Sequence, residues 1–563
     1  MNISLLCALV TFGSSAFFCL PVSSQVIGQQ KISNTAGNLG NFLEADARFG
    51  RSVTYLDDLN SNLVNELVVG ADLANSTAGE VWVIFLDTDG KAQNGFPPVH
   101  IENGSGGLPW NALAVDDRFG FSCTEIGDLN GDGTQDLAVG AHGTDFGVMP
   151  NQDKGCVWIL FMDPNNPGYV ESTVQLKENQ NGAPPVFDQS ENFGTSIECI
   201  GDLDGDGVQD LAVGADPGLG SFSFMGGRVW ILFMNSNGTI KDYFEIAEGV
   251  GGFSGGLGLN SRFGCDISLI GDLDNDQIPE LAVGATGVDD AGAIYILFMN
   301  TDGSVRKNSK ISNLAGNWSG GQSGDKFGKG LSWNPNKQQL ISGASSYDGP
   351  NGNRNNVGQQ WLLNLSSAGV VTNEERIGAG IGGFTGNLTD SGNFGYSSTL
   401  IGDINQDGVE DYAAGAVLDN DNGLRTGAVW VLFGGDCSSA SWLNYGTGVA
   451  GTQGVPTLEL NDNPVLGTSV NIEIGNSNSA IAAGVLLIGR NQVSIPLYCG
   501  DLLVQPTQNI PMLIDSAGNL MPIDIPATPS LCGQVYVMQS LMFDSGACSG
   551  VAMSAGLKLT FGY

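Results

Sequence analysis

Four stretches of this chain set carboxylates or amides at alternate positions of a nine-residue loop, the spacing needed to surround a hard cation with oxygen. They are Asp128, Asn130, Asp132, Thr134 and Asp136; Asp202, Asp204, Asp206, Val208 and Asp210; Asp272, Asp274, Asp276, Ile278 and Glu280; and Asp403, Asn405, Asp407, Val409 and Asp411. Side-chain oxygens at positions 1, 3, 5 and 9, with a backbone carbonyl at position 7, meet the demand of an ion of Ca²⁺ size. Gly at position 6 in three of them permits the sharp turn that brings the oxygens inward. Acidic turns are common, but turn-making alone does not require carboxylates at alternate positions four times in register. A fifth loop, with Asp58, Asn60, Asn62 and Glu66, keeps oxygens but has two carboxylates and no Gly, and reads as a weak site. A sixth, Trp333 to Gln339, has lost the pattern and should bind no metal. The expectation is four strong Ca²⁺ sites and one weak one, serving as staples rather than catalysts, since no feature argues for an open coordination position facing a substrate.

Position 9 is followed by apolar, strand-like residues, so these loops join strands and are not EF-hands, which need flanking helices and a Glu at position 12. The strands belong to a repeat. A Phe-Gly pair recurs at Phe49, Phe119, Phe193, Phe263, Phe327 and Phe394, and a Gly-Ala at Gly70, Gly140, Gly214, Gly284, Gly343 and Gly415. An apolar run with an aromatic follows, centred on Trp82, Trp158, Trp230, Tyr295, Trp361 and Trp430. A polar turn then leads to a fourth short strand. Four β-segments without helical periodicity, repeating every 64 to 74 residues, predict the blades of a β-propeller. Lys31-Ile32-Ser33 matches Lys310-Ile311-Ser312, a fourth strand without its first three, whereas the last repeat stops after its third strand at Phe433. The N-terminal strand should therefore complete the last blade. The count is six blades, or seven if a divergent one hides further on.

These units resemble FG-GAP repeats, the blades of integrin α-subunit propellers and of many secreted bacterial proteins. The resemblance covers residues 25–436 and implies an all-β propeller that binds protein or glycan partners on the face away from the metal loops. Integrin propellers have seven blades, and nothing here matches their inserted ligand-binding domain, so that domain's metal-dependent adhesion chemistry is not carried over.

Composition narrows the function. Of 563 residues, Lys and Arg number 21 and Asp and Glu 59, a net charge of −38, which excludes nucleic acid as a natural partner. Two histidines, His100 and His142, leave little room for imidazole chemistry, and both read as surface residues. Residues 1–24 read as a signal peptide, with an apolar run from Leu5 to Leu20 and small residues before Gln25, although no Lys or Arg precedes the run. No later stretch is apolar enough for a transmembrane segment, so a secreted or cell-surface location is expected. Eight cysteines then remain, an even number that permits disulfides in an oxidising compartment.

Catalytic signals are weak. Gly252-Phe253-Ser254-Gly255-Gly256 matches a nucleophile-elbow string, but it recurs as Gly383-Phe384-Thr385-Gly386-Asn387 at the same distance from its Phe-Gly pair, which marks a structural loop. The strand aromatics read as core rather than as a sugar platform. Residues 437–563 leave the repeat and show short strands separated by Pro and Gly, as in a β-sandwich, with Cys437, Cys499, Cys532 and Cys548 available as staples. The reading is a secreted Ca²⁺-binding propeller followed by a sandwich, acting as a binding or adhesion module for an extracellular protein or glycan and not as an enzyme. The alternatives are an enzyme acting on extracellular polysaccharide and a passive component of an envelope or matrix.

Overall fold

The computed structural model describes residues 26–145, 153–184, 190–216, 226–349, 352, 354–435, 440–526 and 534–562. The proposed signal peptide and two of the cysteines named above, Cys437 and Cys532, lie outside them. The described chain separates into two compact units, residues 26–435 and 440–562.

In the first unit every repeat becomes one four-stranded antiparallel sheet, giving six blades. Blade 3 is typical, with strands Phe193–Gly201, Asp210–Ala215, Arg228–Met234 and Ile240–Ile246. Its second and third strands are buried at every residue, because continuous apolar runs face neighbouring blades on both sides. The fourth strand is exposed in its middle, as suits an outer edge. Trp82, Trp158, Trp230, Tyr295, Trp361 and Trp430 are all buried, as core packing requires.

The ring closes by a repeated backbone contact. Each Phe of a Phe-Gly pair forms a parallel bridge to the Gly before the third strand of the preceding blade: Phe119 to Gly79, Phe193 to Gly155, Phe263 to Gly227, Phe327 to Gly292 and Phe394 to Gly358. The sixth bridge, Phe49 to Gly427, joins the last blade to the first. The Gly-Ala motif has a steric origin too. A Cβ on Gly214 would lie 2.0 Å from the Gly264 carbonyl oxygen of the next blade, and one on Gly140 would lie 2.1 Å from that of Gly194. Ser122 Oγ and Ser196 Oγ donate to those same carbonyls, each at 2.8 Å.

Strand Val26–Ile32 pairs antiparallel with Ala428–Gly434, so the N-terminal strand completes blade 6 and the count is six. Lys31 Nζ lies 3.0 Å from Asp419, and Lys310 Nζ lies 2.7 Å from Asp289 at the matching place in blade 4.

The second unit holds a six-stranded antiparallel sheet and a three-stranded sheet made of Leu458–Leu460, Ser469–Ile474 and Asn519–Asp524. Side chains from both sheets, among them Ile472, Val470, Leu486, Met538 and Leu557, share one core, which makes this a β-sandwich. Cys499 and Cys548 form a disulfide. Among the described residues, Cys123, Cys156, Cys199 and Cys265 of the propeller are unpaired. Burial pushes the first three thiols up to about 12, so they behave as core residues rather than nucleophiles.

Candidate metal centre

Each acidic loop joins the first and second strands of its blade, and its internal hydrogen bonds follow from the alternating spacing. The position 1 carboxylate gathers the loop's backbone amides. Asp128 Oδ1 accepts from Gly131 and Asp132 N–H, and its Oδ2 accepts from Gly133 N–H. Asp202 does the same with Gly205, Asp206 and Gly207. Asp272 accepts from Asp276 and Gln277, and Asp403 from Asp407 and Gly408. The position 5 carboxylate accepts from the N–H of position 7, as Asp206 Oδ1 does from Val208 at 2.9 Å. The chain is thereby wound into the same turn in each of these loops. Position 6 takes a left-handed conformation in every case, at φ 95° for Gly133, 89° for Gly207 and 90° for Gly408. Gln277 and Leu63 hold the same conformation, at 74° and 67°, without the freedom of glycine.

Position 9 opens the second strand in Asp210, Glu280 and Asp411 and immediately precedes it in Asp136, and all four are fully buried. Asp210 Oδ2 accepts from Leu203 N–H, and its Oδ1 accepts from Met234 N–H at the end of the third strand. Asp136 bridges Leu129 and Met162 likewise, and Asp411 bridges Ile404 and Gly434. Burial dominates their acidity, raising Asp136 and Asp210 to about 6 and Glu280 and Asp411 to about 7 against the opposing pull of these amides. Buried carboxylates so reluctant to ionise are the groups that a bound cation would favour most.

In blade 4, ligand oxygens of Asp272, Asp274, Asp276 and Glu280 lie within 4.8 Å of one another, and in blade 3 so do those of Asp202, Asp204 and Asp210. The donor set is oxygen only, which fits Ca²⁺ and excludes a soft metal. Blades 2 and 6 share the loop hydrogen bonding, with Asn130 or Asn405 at position 3 in place of a carboxylate.

The loops differ in their surroundings, which spacing did not reveal. Lys241, on the fourth strand of blade 3, lies 2.6 Å from Asp204 and also pairs with Asp206. Arg306 lies 3.1 Å from Asp274 and 2.5 Å from Asp276, and Lys307 lies 2.9 Å from Asp274. These side chains place positive charge where the loop's carboxylates converge. Among the described residues, no basic group pairs with the loops of blades 2 and 6. In blade 1, Asn60 Nδ2 donates to Gln93 and Asn62 Nδ2 to the Leu86 carbonyl, so amides make contacts of their own. In blade 5, neutral Gln339 stands where the others have a carboxylate, and Asn364 Nδ2 donates to the Lys337 carbonyl.

The other sequence candidates are structural. Phe253 is buried and stacks on Phe263 with ring centroids 4.6 Å apart, and Phe384 packs on Phe394 in the same way at 5.2 Å. His100 lies against Trp82 at 3.7 Å. The surface expectation for His142 is corrected: it is 7% exposed, packed against Phe121 at 3.7 Å between ring centroids. The residue types beside each Phe-Gly pair escaped the sequence reading. Those that follow the pair, Arg51, Phe121, Thr195, Cys265, Lys329 and Tyr396, line an axial cavity of about 370 Å³.

Residues 125–160 and 194–232 match the FG-GAP repeat family. The chain is 29% identical to integrin alpha-5 of Xenopus laevis over 256 residues, covering 43% of this chain and 20% of that protein. It is 32% identical to integrin alpha-3 of Cricetulus griseus over 167 residues, covering 29% and 14%. It is 33% identical to integrin alpha-7 of Homo sapiens over 168 residues, covering 30% and 12%. The matches thus span a fifth or less of these relatives' length.

Proposed function

From a chain built of integrin alpha-like FG-GAP repeats, we propose a secreted or cell-surface Ca²⁺-binding propeller that serves as a non-enzymatic binding or adhesion module for an extracellular protein or glycan. The observation that carries the metal assignment is the convergence of Asp272, Asp274, Asp276 and Glu280 at one point in a loop whose backbone holds them there. Blades 2, 3, 4 and 6 would each hold one ion through positions 1, 3, 5, 7 and 9, and blade 1 a weaker one. A bound ion supplies positive charge that offsets the clustered carboxylates and ties the first and second strands together. The chain's own part is to orient the oxygens and to hold the buried position 9 carboxylate ready for it.

Extracellular modules of this kind bind Ca²⁺ with Kd about 10⁻⁴–10⁻³ M. At a hundredfold excess over Kd, each site adds about 2.7 kcal/mol to folding stability. Excess EDTA therefore lowers the melting temperature, and calorimetric titration gives a stoichiometry near four. An unchanged melting curve in EDTA refutes the metal assignment. A protein and glycan array, read with and without Ca²⁺, tests the binding role; release of reducing ends from a glycan would instead establish an enzyme.

A further inference from the structure

The starts of the first strands and the ends of the second strands meet at one end of the propeller axis, as the pairing of Phe263 with Ala285 and of Phe119 with Ala141 shows. In a protein of net charge −38, several of the 21 Lys and Arg residues sit at this end. Arg48, Arg118 and Arg262 each precede a Phe-Gly pair, and Arg51 and Lys329 each follow one. Arg51, Lys329 and Tyr396 line the axial cavity. The Arg51 guanidinium lies 3.6 Å from the centre of the Phe121 ring and 4.4 Å from that of Tyr396, and Lys329 Nζ lies 5.2 Å from the Tyr396 ring.

The local acids offset part of this cluster: Asp266, on the same cavity wall, feels the charge of Lys329 and accepts from Gly330 N–H, and Lys329 Nζ itself donates to the Cys265 carbonyl. Asp216 is committed to Arg262 at 2.7 Å. Asp72, fully buried, is shared between two ion pairs, at 3.7 Å from Arg48 and 3.9 Å from Arg51, and makes no hydrogen bond to either, so one carboxylate faces two guanidinium groups. Among the described residues, neither Lys329 nor Arg118 pairs with a carboxylate. Arg51, 9% exposed, has its Nε without a hydrogen-bond partner, as do Arg48 Nε, His142 Nδ1, both Asp72 carboxylate oxygens and the Thr286 and Ser345 hydroxyls at the ends of second strands. Buried polar groups left unpaired are costly, and the two guanidinium Nε atoms among them are donors that a bound oxygen would satisfy.

Two titrating groups report the sign of the field. Burial alone would raise the Tyr396 phenol, yet the charges of Arg51, Lys329 and Arg262 overcome it and hold the phenol below its usual value. Burial depresses His142 well below its usual range, and Arg118, Arg51, Lys329 and Arg48 push it further the same way. An acid favoured as its anion and a base disfavoured as its cation both indicate positive potential.

We propose that this end of the axis is a socket for an oxyanion, held between Arg51 and Lys329 on the cavity wall, with Arg48 and Arg118 at its rim. The proposal goes beyond the adhesion reading and does not need the metal loops, which lie at the opposite ends of the first strands. The ligand chemistry is a sulfate, phosphate or carboxylate group, whether on a free small ion or on an acidic side chain.

The test uses the full chain. Sulfate, citrate and the peptide Gly-Glu-Glu-Gly are titrated by calorimetry against chloride at matched ionic strength, and crystals are soaked in selenate for its anomalous signal. At least one oxyanion binds where chloride does not, and Lys329→Met and Arg118→Gln each weaken it about tenfold. Arg425→Gln, at an exposed ion pair with Asp46, leaves binding unchanged. Binding of the peptide identifies a side-chain ligand, and binding of sulfate or citrate alone a free ion. The soak requires no variant to fold and shows selenate beside Arg51 and Lys329. A hub holding only water after the soak, equal effects of chloride, or full affinity in both variants would overturn the proposal.

Discussion

Position 6 of the acidic loops shows how much one residue type decides. The turn needs a positive φ there whatever the side chain, and Gln277 adopts 74° where Gly207 adopts 89°. A non-glycine residue held in this region costs about 1–2 kcal/mol. Gln277→Gly should stabilise the protein by about 1 kcal/mol, read as a higher melting temperature with the loop's carboxylates intact. Glu198, half-buried on the axial cavity wall, gives a second case. Burial pushes its carboxyl up to about 8, against one amide from Leu269 that favours the anion. The unfolded group titrates near 4.5, so between about pH 4.5 and 8 the folded protein binds the additional proton. Stability therefore falls as pH rises through that window. Glu198→Gln should flatten the fall, measured by urea melts at pH 5 and pH 8; an identical slope in the variant would assign the fall to other groups.

At the scale of the strand and blade, the repeat motifs are steric rather than chemical. Gly214 and Gly264 exist because the backbone of one blade passes within reach of the next. Gly214→Ala forces a Cβ to 2.0 Å from a carbonyl oxygen, and the shift needed to relieve it should cost about 1–3 kcal/mol. The variant should melt earlier and keep its Ca²⁺ stoichiometry, since the loops lie elsewhere. These contacts explain why the blades were legible in sequence. Phe-Gly, Gly-Ala and the aromatic strand recur because every blade meets the same neighbour, and the N-terminal Lys-Ile-Ser betrayed the closing strand by matching blade 4. The loops were legible for a similar reason, as each backbone turn repeats its hydrogen bonds with its acids. The weak loop of blade 1 and the lost one of blade 5 were legible too, but the surroundings of each loop were not. Lys241 and Arg306 reach the acidic loops from fourth strands thirty or more residues away, and only pairing of the strands brings them there. The Gln339 and Asn364 amides likewise meet only across neighbouring strands of blade 5.

For the molecule as a whole, charge is laid out by architecture. The acidic loops share one end of the first strands, and the Arg and Lys residues flanking Phe-Gly share the other. This polarity arises because a repeated motif on a ring puts equivalent positions at equal heights, so a substitution tolerated in several repeats becomes a belt of like charge. The closing of the ring carries a further consequence. Val26–Ile32 finds its partner only at Ala428–Gly434, some four hundred residues later. An early-made segment must wait, unpaired, until nearly the entire wheel has been synthesised. Joining head to tail cannot precede synthesis of residues 428–434, and a polypeptide interrupted before residue 428 leaves its first strand without that partner.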